Sequence, residues 1–190
     1  MEKTMERVPA QNPARLLVMT ALFAALGCVA TMVIQIPSPT GGYMNLGDAA
    51  VILGAFLLGP VYGAVAGGLG PAMADLLSGY AVYVPATLII KAVMAVVAAG
   101  LFRALGKKGW SLPFCAVAAE VPMVVGYWLF DALLTFLSSQ GSAFTLCLAG
   151  SAAGIPSNLV QAIFGAASST LLAAALLRSA YVRQSFPQFH

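Results

Sequence analysis

Charged side chains are scarce in this sequence, and their scarcity excludes most classes of soluble protein. Only 8% of the 190 residues are Asp, Glu, Lys or Arg, whereas about 25% are charged in an ordinary soluble domain. Hydrophobic residues make up 61% of the chain, and the mean hydropathy is +0.93. This composition leaves no room for a soluble catalytic domain, so we expect a lipid bilayer as the solvent and no nucleic-acid partner.

Metal-ligating and nucleophilic residues are scarce as well. The single histidine is the last residue, His190, and the three cysteines, Cys28, Cys115 and Cys147, are widely spaced. That pattern indicates neither a metal site nor a disulfide framework. Walker A, HExxH and GxSxG motifs do not occur in the sequence. We therefore expect no catalytic residue, no metal and no cofactor, which argues against an enzyme.

Long apolar runs stand where the charges are missing. A helix needs about 20 residues to cross a hydrocarbon core of about 30 Å. The run over residues 46–78 is too long for one span and is interrupted at Gly59-Pro60, so it predicts two short helices hinged there. The other predicted spans cover residues 14–36, 85–105, 112–137 and 152–177.

The basic residues test this hinge, because Lys and Arg accumulate in short cytoplasmic loops. With two helices in the interrupted run, all nine basic residues except Lys91 fall on one side of the membrane. A single span there would remove the bias. The sequence therefore predicts an all-α integral membrane protein with six transmembrane helices and both termini cytoplasmic. Its parts are a lead over 1–13, a transmembrane domain over 14–178 and a tail over 179–190.

Five ionisable residues fall inside or beside the predicted spans. Such groups cost several kcal/mol in a bilayer unless they are paired or hydrated, so each is a functional candidate. Lys91 is predicted either to pair with Asp75 on the adjacent helix, which we favour, or to contact a ligand. Asp48 is predicted to cap a helix. Glu120 is expected in the inner half, far from the others, with its role open, and Asp131 near the outer end of its span.

Polar and aromatic residues at the outer ends of the later spans suit a planar heterocycle. Trp128 and Asp131 are three residues apart and share a helix face, so the indole can stack on a ring while the carboxylate accepts its protons. An interfacial aromatic belt explains the tryptophan equally well. Asn158 and Gln161 are also three apart, and they bind a ligand edge or join helices; we favour the ligand.

The loop after the first span and the span itself carry two further features. Tyr43 and Asn45 lie among glycines in this loop, which can fold over a cavity as a lid or serve as a plain connector with Asn45 as a helix cap. Ala21 and Ala25 give the first span the spacing of small residues at which membrane helices approach closely.

The long interrupted run and its immediate flanks contain four distinctive segments, and Lys91 follows them in the next helix. The segments are residues 45–52 (NLGDAAVI), 59–63 (GPVYG), 67–70 (GGLG) and 74–79 (ADLLSG). Together they resemble the substrate-binding S components of energy-coupling factor (ECF) transporters for vitamins, and the likeness covers about residues 14–178. Within that family they look like the riboflavin and hydroxymethylpyrimidine branch.

The resemblance implies a six-helix plasma-membrane subunit that captures a vitamin from outside, beneath the first loop. It implies that Ala21 and Ala25 dock against a transmembrane coupling subunit driven by two ATPase subunits. For the cargo we favour hydroxymethylpyrimidine or pyridoxine, with riboflavin next. The alternative is a solo carrier that couples uptake to protons through Asp131 or Glu120, because intramembrane carboxylates serve as proton relays.

Overall fold

The computed structural model describes residues 13–139, 141, 143–186 and 189. In chain order its elements are α1 (Pro13–Val33), β1 (Ile36–Pro37), β2 (Tyr43–Met44), α2 (Gly47–Leu77), α3 (Val84–Ala104), α4 (Leu112–Ser138), α5 (Phe144–Ser151), α6 (Ile155–Leu177) and α7 (Ala180–Ser185). Five helical segments are long and apolar enough to cross a membrane. The predicted class, an all-α integral membrane protein, is confirmed.

Proline starts three of the long helices. Pro85, Pro113 and Pro156 each lie in the first turn, of α3, α4 and α6 respectively. The first turn of a helix has N–H groups without helical partners, and proline's fixed φ is already suited to the helix. Each of these residues therefore marks where the chain leaves a loop and enters the bundle.

Helix α2 is divided at Gly59. This residue has φ 81° and ψ −179°, a region of backbone space that is essentially restricted to glycine. Pro60 follows it and has no N–H with which to continue the preceding helix. We call residues 47–58 the first arm of α2 and residues 60–77 the second arm.

The two arms fold back against each other. A Cβ added to Gly63 would lie 2.7 Å from the Cα of Ala55, and one added to Gly67 would lie 2.9 Å from Cγ1 of Val51. These contacts join residues that are equally far from Gly59 along the chain, as they must in an antiparallel hairpin. The predicted division of the long apolar run into two hinged helices is therefore confirmed.

The first arm is the centre of the bundle. All its residues except Ala49 are buried, and its Phe56 ring lies 5.0 Å from that of Phe102 on α3. The arm is about 18 Å long at about 1.5 Å per residue, shorter than a hydrocarbon core of about 30 Å. Because lipid tails are as apolar as leucine, close packing rather than water exclusion holds it among the other helices.

Helix α1 lies at the periphery. Only Thr20, Gly27 and Thr31 are buried among its 21 residues. Gly27 lies against the ring of Pro71 in the second arm, because a Cβ added to Gly27 would lie 3.6 Å from the Cδ of Pro71. Phe23 and Ala24 are half-buried against the core, whereas the exposed apolar side chains of α1, such as Leu22 and Leu26, are available to lipid or to another membrane protein.

Both described ends of the chain lie at one end of the bundle. The guanidinium of Arg15 is 5.5 Å from the ring centroid of Phe186, and Phe102 and Phe189 have centroids 6.0 Å apart. We call this the tail end. The loop over residues 34–46 lies at the opposite end, which we call the cleft end. The charge distribution still predicts that the tail end is cytoplasmic.

Two predicted boundaries are corrected. The predicted loop over 138–151 contains helix α5, because Phe144 packs edge-to-face on Phe136 with centroids 5.6 Å apart. The first span, predicted to reach residue 36, ends at Val33, because the next residues pair with β2 in a short antiparallel ladder. Most of the predicted lead, residues 1–12, lies outside the described residues, as do 140, 142, 187, 188 and 190.

The hinge yields a stability prediction. Gly59→Ala is expected to lower the free energy of unfolding by about 1–3 kcal/mol, because a Cβ is strained in that backbone conformation. Thermal unfolding of the purified protein in detergent measures the loss. Gly100→Ala is the matched control, since a Cβ at Gly100 in α3 meets nothing within 4 Å and alanine favours helix. Equal losses in both variants would contradict the hinge.

Candidate functional site

A polar cleft opens at the cleft end of the bundle, beneath the loop over residues 34–46, which we call the outer loop. It encloses about 420 Å³ of empty space, part of it open to solvent. The lining residues are Ser38, Thr40, Gly42, Tyr43, Asn45, Asp75, Tyr83, Thr87, Tyr127, Asp131, Asn158 and Gln161.

Below the cleft lies a buried ion pair between Lys91 and Asp48, both 1% exposed. Lys91 Nζ donates to Asp48 Oδ1, and Gln161 Nε2 donates to Asp48 Oδ2 across 2.6 Å. The ammonium also lies 5.4 Å from the ring centroid of Tyr127. A buried charge of this kind is tolerable because it is both paired and hydrogen-bonded.

This pairing corrects two predictions. The favoured partner of Lys91, Asp75, is wrong, because Asp48 reaches the ammonium from the first arm of α2. The predicted capping role of Asp48 is wrong too, since α2 has no side-chain cap hydrogen bond at its N-cap. The position of a residue along the chain gives its depth in the membrane but not the neighbouring helix that its side chain faces. Both corrections depend on the direction in which Lys91 and Asp48 face.

The ion pair is connected to the outer loop by hydrogen bonds. Gln161 Oε1 accepts from the backbone N–H of Asn45 across 2.8 Å. Asn45 Oδ1 in turn accepts from the backbone N–H of Gly47 across 2.9 Å, which agrees with the local capping role predicted for Asn45. The end of the outer loop is thereby held by α6, and α6 is held by the ion pair.

Two carboxylates hold the rest of the outer loop. Asp131 accepts from the hydroxyl of Thr40 across 2.6 Å and from that of Tyr83 across 2.9 Å. Asp75 accepts from the hydroxyl of Tyr43 across 2.5 Å. Its other oxygen, Oδ2, is buried and has no hydrogen-bond partner among the described residues. Hydrogen bonds to ionised acceptors are shorter and roughly twice as strong as neutral ones.

The two tyrosines in these contacts stay protonated. Burial, followed by the hydrogen bond to Asp75 and its charge, raises the pKa of Tyr43. Burial, followed by the charge of Asp131 and the hydrogen bond to it, raises the pKa of Tyr83. Both phenols are therefore donors throughout the physiological pH range, and each is suited to hold a carboxylate.

The lining has a negative electrostatic character. It contains two carboxylates, Asp75 and Asp131, and no lysine or arginine. The one nearby cation, Lys91, is already bound to Asp48. Since like charges brought together without solvent repel strongly, the cleft favours a neutral or cationic molecule that offers hydrogen-bond donors.

The structure brings five of the predicted ligand residues together. These are Tyr43, Asn45, Asp131, Asn158 and Gln161. Lys91 lies below the lining, committed to the ion pair. Trp128 is half-buried, and its indole N–H donates to the carbonyl of Leu148 in α5 across 3.0 Å, so it anchors that helix outside the cleft.

The two alanines predicted to dock a partner, Ala21 and Ala25, are both exposed on α1. They share that exposed surface with larger apolar side chains, among them Leu22 and Leu26. Small residues beside larger ones allow the backbone of another helix to approach closely. The docking role stays a prediction with a suitable surface.

Several lining residues are not among the predicted ligand residues. Ser38 and Thr40 lie in the outer loop, where the sequence predicts only Tyr43 and Asn45, and Tyr83 lies just before the first turn of α3. Tyr127, whose hydroxyl is 2.9 Å from that of Thr87, lines the cleft in place of the predicted neighbour Trp128. The available signal was the number of hydroxyls near the outer ends of the spans.

Glu120 is closer to the ion pair than predicted. Its carboxyl lies within electrostatic reach of both Asp48 and Lys91, and a Cβ added to Gly165 on α6 would collide with its Oε1 while lying 2.7 Å from Cβ of Asp48. The expectation that Glu120 is far from the other ionisable residues is therefore wrong. Its position along the chain does not show that its side chain faces Asp48 of the first arm.

Comparison with known proteins gives a family match and a relative. A sequence model of the family described as "ECF-type riboflavin transporter, S component" matches residues 11–178 of this chain. A protein of Pyrococcus woesei, described as "Uncharacterized protein in gap 3'region", is 38% identical over 100 residues, which are 52% of this chain and 66% of that protein. The match thus covers slightly less than two thirds of that relative's length.

The ion pair yields a stability prediction. Lys91→Met leaves the Asp48 carboxylate buried without its cation, and we expect the free energy of unfolding to fall by about 3–5 kcal/mol. The double variant Asp48→Asn with Lys91→Met retains neither charge and is expected to lose less than the two single losses combined. Unfolding in detergent measures all three, and additive losses would argue that the two side chains do not interact.

Proposed function

The chain belongs to the family of ECF-type riboflavin transporter S components, and on that premise we propose that it captures a small heterocyclic vitamin in the cleft under the outer loop. As a member of that family it is a vitamin-binding transport subunit and a multi-pass membrane protein. The observation that carries the proposal is the cleft itself, where two carboxylates and a ring of hydroxyls converge beneath a loop that they also hold in place.

The chemistry of the lining narrows the class of cargo. Asp75 and Asp131 accept hydrogen bonds, and Asn158 offers both a donor and an acceptor. A heterocycle with amino, hydroxyl or ring N–H groups matches this set, whereas a phosphate ester would meet two carboxylates without an available cation. We favour unphosphorylated hydroxymethylpyrimidine or pyridoxine. Riboflavin, which the description of the family names, is the next choice.

The outer loop is proposed to act as a lid. Within the cleft, the hydroxyls of Thr40 and Tyr43 and the backbone N–H of Asn45 each bond to a lining side chain. At the start of the loop, Gln35 Nε2 also donates to the hydroxyl of Ser78 across 2.9 Å. Opening the cleft means breaking these few hydrogen bonds, each worth about 0.5–1.5 kcal/mol net, or about 1.5–3 kcal/mol to a charged group. A lid held this way opens without unfolding the bundle.

Energy for uptake is proposed to come from partner subunits. The exposed face of α1 with Ala21 and Ala25 would dock on a transmembrane coupling subunit, which two ATPase subunits drive, in the plasma membrane. The chain would bind cargo outside and reorient against that partner to release it inside. The rival is a solo carrier driven by protons through Asp131 or Glu120, for which buried carboxylates are the supporting observation.

The lining predicts how the protein discriminates between ligands. Unphosphorylated hydroxymethylpyrimidine, pyridoxine or riboflavin is expected to bind, and the phosphate ester of the same vitamin more than about a hundredfold more weakly, because like charges juxtaposed in a site cost several kcal/mol. Calorimetric titration of the purified protein measures both affinities. Native mass spectrometry beforehand identifies any retained cargo. Equal affinity for a vitamin and its ester would contradict the proposed site.

The same titration has a matched pair of variants on α4. Asp131→Asn is expected to weaken vitamin binding by about 10- to 100-fold, the equivalent of losing one hydrogen bond to a charged group. Ser138→Ala is the control, because within the described part of the chain the Ser138 hydroxyl bonds to backbone carbonyls of its own helix and not to the cleft. Unchanged binding in Asp131→Asn would remove this carboxylate from the site.

Reconstitution decides between the two energy sources. The chain alone in vesicles is expected to bind vitamin without accumulating it, whereas vesicles that also contain the coupling and ATPase subunits accumulate it when ATP is present. The measurement is uptake of radiolabelled vitamin with and without ATP and an imposed pH gradient. Accumulation by the chain alone, driven by the pH gradient and indifferent to ATP, would establish the solo carrier.

A further inference from the structure

Glu120 carries a buried carboxyl that the cleft does not use. The residue is 4% exposed, and neither Oε1 nor Oε2 has a hydrogen-bond partner among the described residues. A carboxylate in this state would be almost out of reach of bulk solvent and without a donor among the described residues, which makes a buried negative charge costly. The group therefore needs another explanation than a structural ion pair.

The surroundings of Glu120 already contain a carboxylate. Asp48 and Glu120 approach each other beside Gly165 of α6, where a Cβ would collide with Glu120 Oε1 and lie 2.7 Å from Cβ of Asp48. Glycine at this position leaves the space that the two acidic side chains occupy. The packing thus brings together two groups that repel each other when both are ionised.

Among the described residues, one cation faces these two carboxyls. Two ionisable side chains face Glu120: Asp48, from the first arm of α2, and the cation Lys91, from α3. Helix α6 has no ionisable residue and α5 has only the thiol of Cys147. Lys91 is bound to Asp48 Oδ1, and Asp48 Oδ2 accepts from Gln161. With both acids ionised, the cluster would have an uncompensated negative charge at the centre of the bundle.

We propose that Glu120 is a proton-binding site, whose carboxyl carries a proton in the folded protein and so makes the Asp48, Lys91 and Glu120 cluster neutral. When the proton leaves at alkaline pH, two carboxylates compete for Lys91. The bond from Lys91 to Asp48 then weakens, and with it the hold of Gln161 on the outer loop. The site requires no cargo and no partner subunit, so it goes beyond the proposed transport function.

The glutamate content of the chain allows a direct test on the unaltered protein. Its only glutamates are Glu2, Glu6 and Glu120, so isotopic labelling of glutamate carboxyls marks one residue inside the bundle. Infrared spectroscopy of the full chain in nanodiscs, titrated from neutral to alkaline pH, is expected to show a protonated-carboxyl band that shifts with the label. No such band at neutral pH would overturn the proposal.

Stability provides a second readout with a matched control. Because the folded protein holds a proton that the unfolded chain releases above the usual glutamate pKa of about 4.3, its stability falls as pH rises from there until the folded protein also loses that proton. One proton corresponds to a decrease in Tm of about 3–5 °C per pH unit within this window. Glu120→Gln keeps the shape of the neutral acid and is expected to lose this dependence. Glu6→Gln removes a carboxyl from the leading segment and should retain it. A wild-type slope in Glu120→Gln would overturn the proposal.

A monovalent cation is the competing occupant of the same carboxyl. Exchange of choline chloride for sodium chloride at equal ionic strength is expected to leave the wild-type Tm unchanged at each pH. If sodium instead raised the Tm at alkaline pH and Glu120→Gln abolished the rise, the site would hold a metal cation and the proton proposal would be overturned.

Discussion

The buried ion pair between Lys91 and Asp48 is the interaction on which the rest of the molecule depends. It joins α3 to the first arm of α2 at a place where both side chains are 1% exposed, and it positions the amide of Gln161, which holds the outer loop through Asn45. A buried pair adds little net stability, but losing either partner is expensive. It therefore fixes which arrangement of helices is allowed, and the cleft is formed by that arrangement.

The hinge at Gly59 makes this pair possible. A straight α2 would lie alongside its neighbours for its full length of 31 residues, whereas the folded one brings its first arm into the middle of the bundle and takes its second arm out between α1 and α3. The short first arm is covered by protein throughout, so it needs no lipid-facing surface. A charged residue near its start, Asp48, can consequently be placed where no membrane-exposed helix could hold it.

The sequence predicts the hinge in α2 because two strong signals agree. The breaker pair Gly59-Pro60 and the one-sided distribution of basic residues both required two helices in one apolar run. The sequence also predicts much of the cleft because polar residues at the outer ends of spans are few. The sequence does not predict the partner of Lys91 or the surroundings of Glu120, since both depend on the direction in which side chains face around their helices. Trp128 faces α5 and not the cleft, because a spacing of three residues from Asp131 does not determine which of two neighbouring surfaces the indole faces.

The division of work among the acidic residues connects these parts. Asp131 uses both oxygens to hold the loop and Tyr83, and Asp48 uses both for Lys91 and Gln161. Asp75 uses one oxygen for Tyr43 and leaves Oδ2 buried without a described partner. A cargo that donates one hydrogen bond can therefore bond to Asp75 Oδ2, which has no described donor, whereas at Asp131 it shares oxygens that already accept from Thr40 and Tyr83. In the proposed function, the same acceptors that close the cleft thus determine which molecules it can close over.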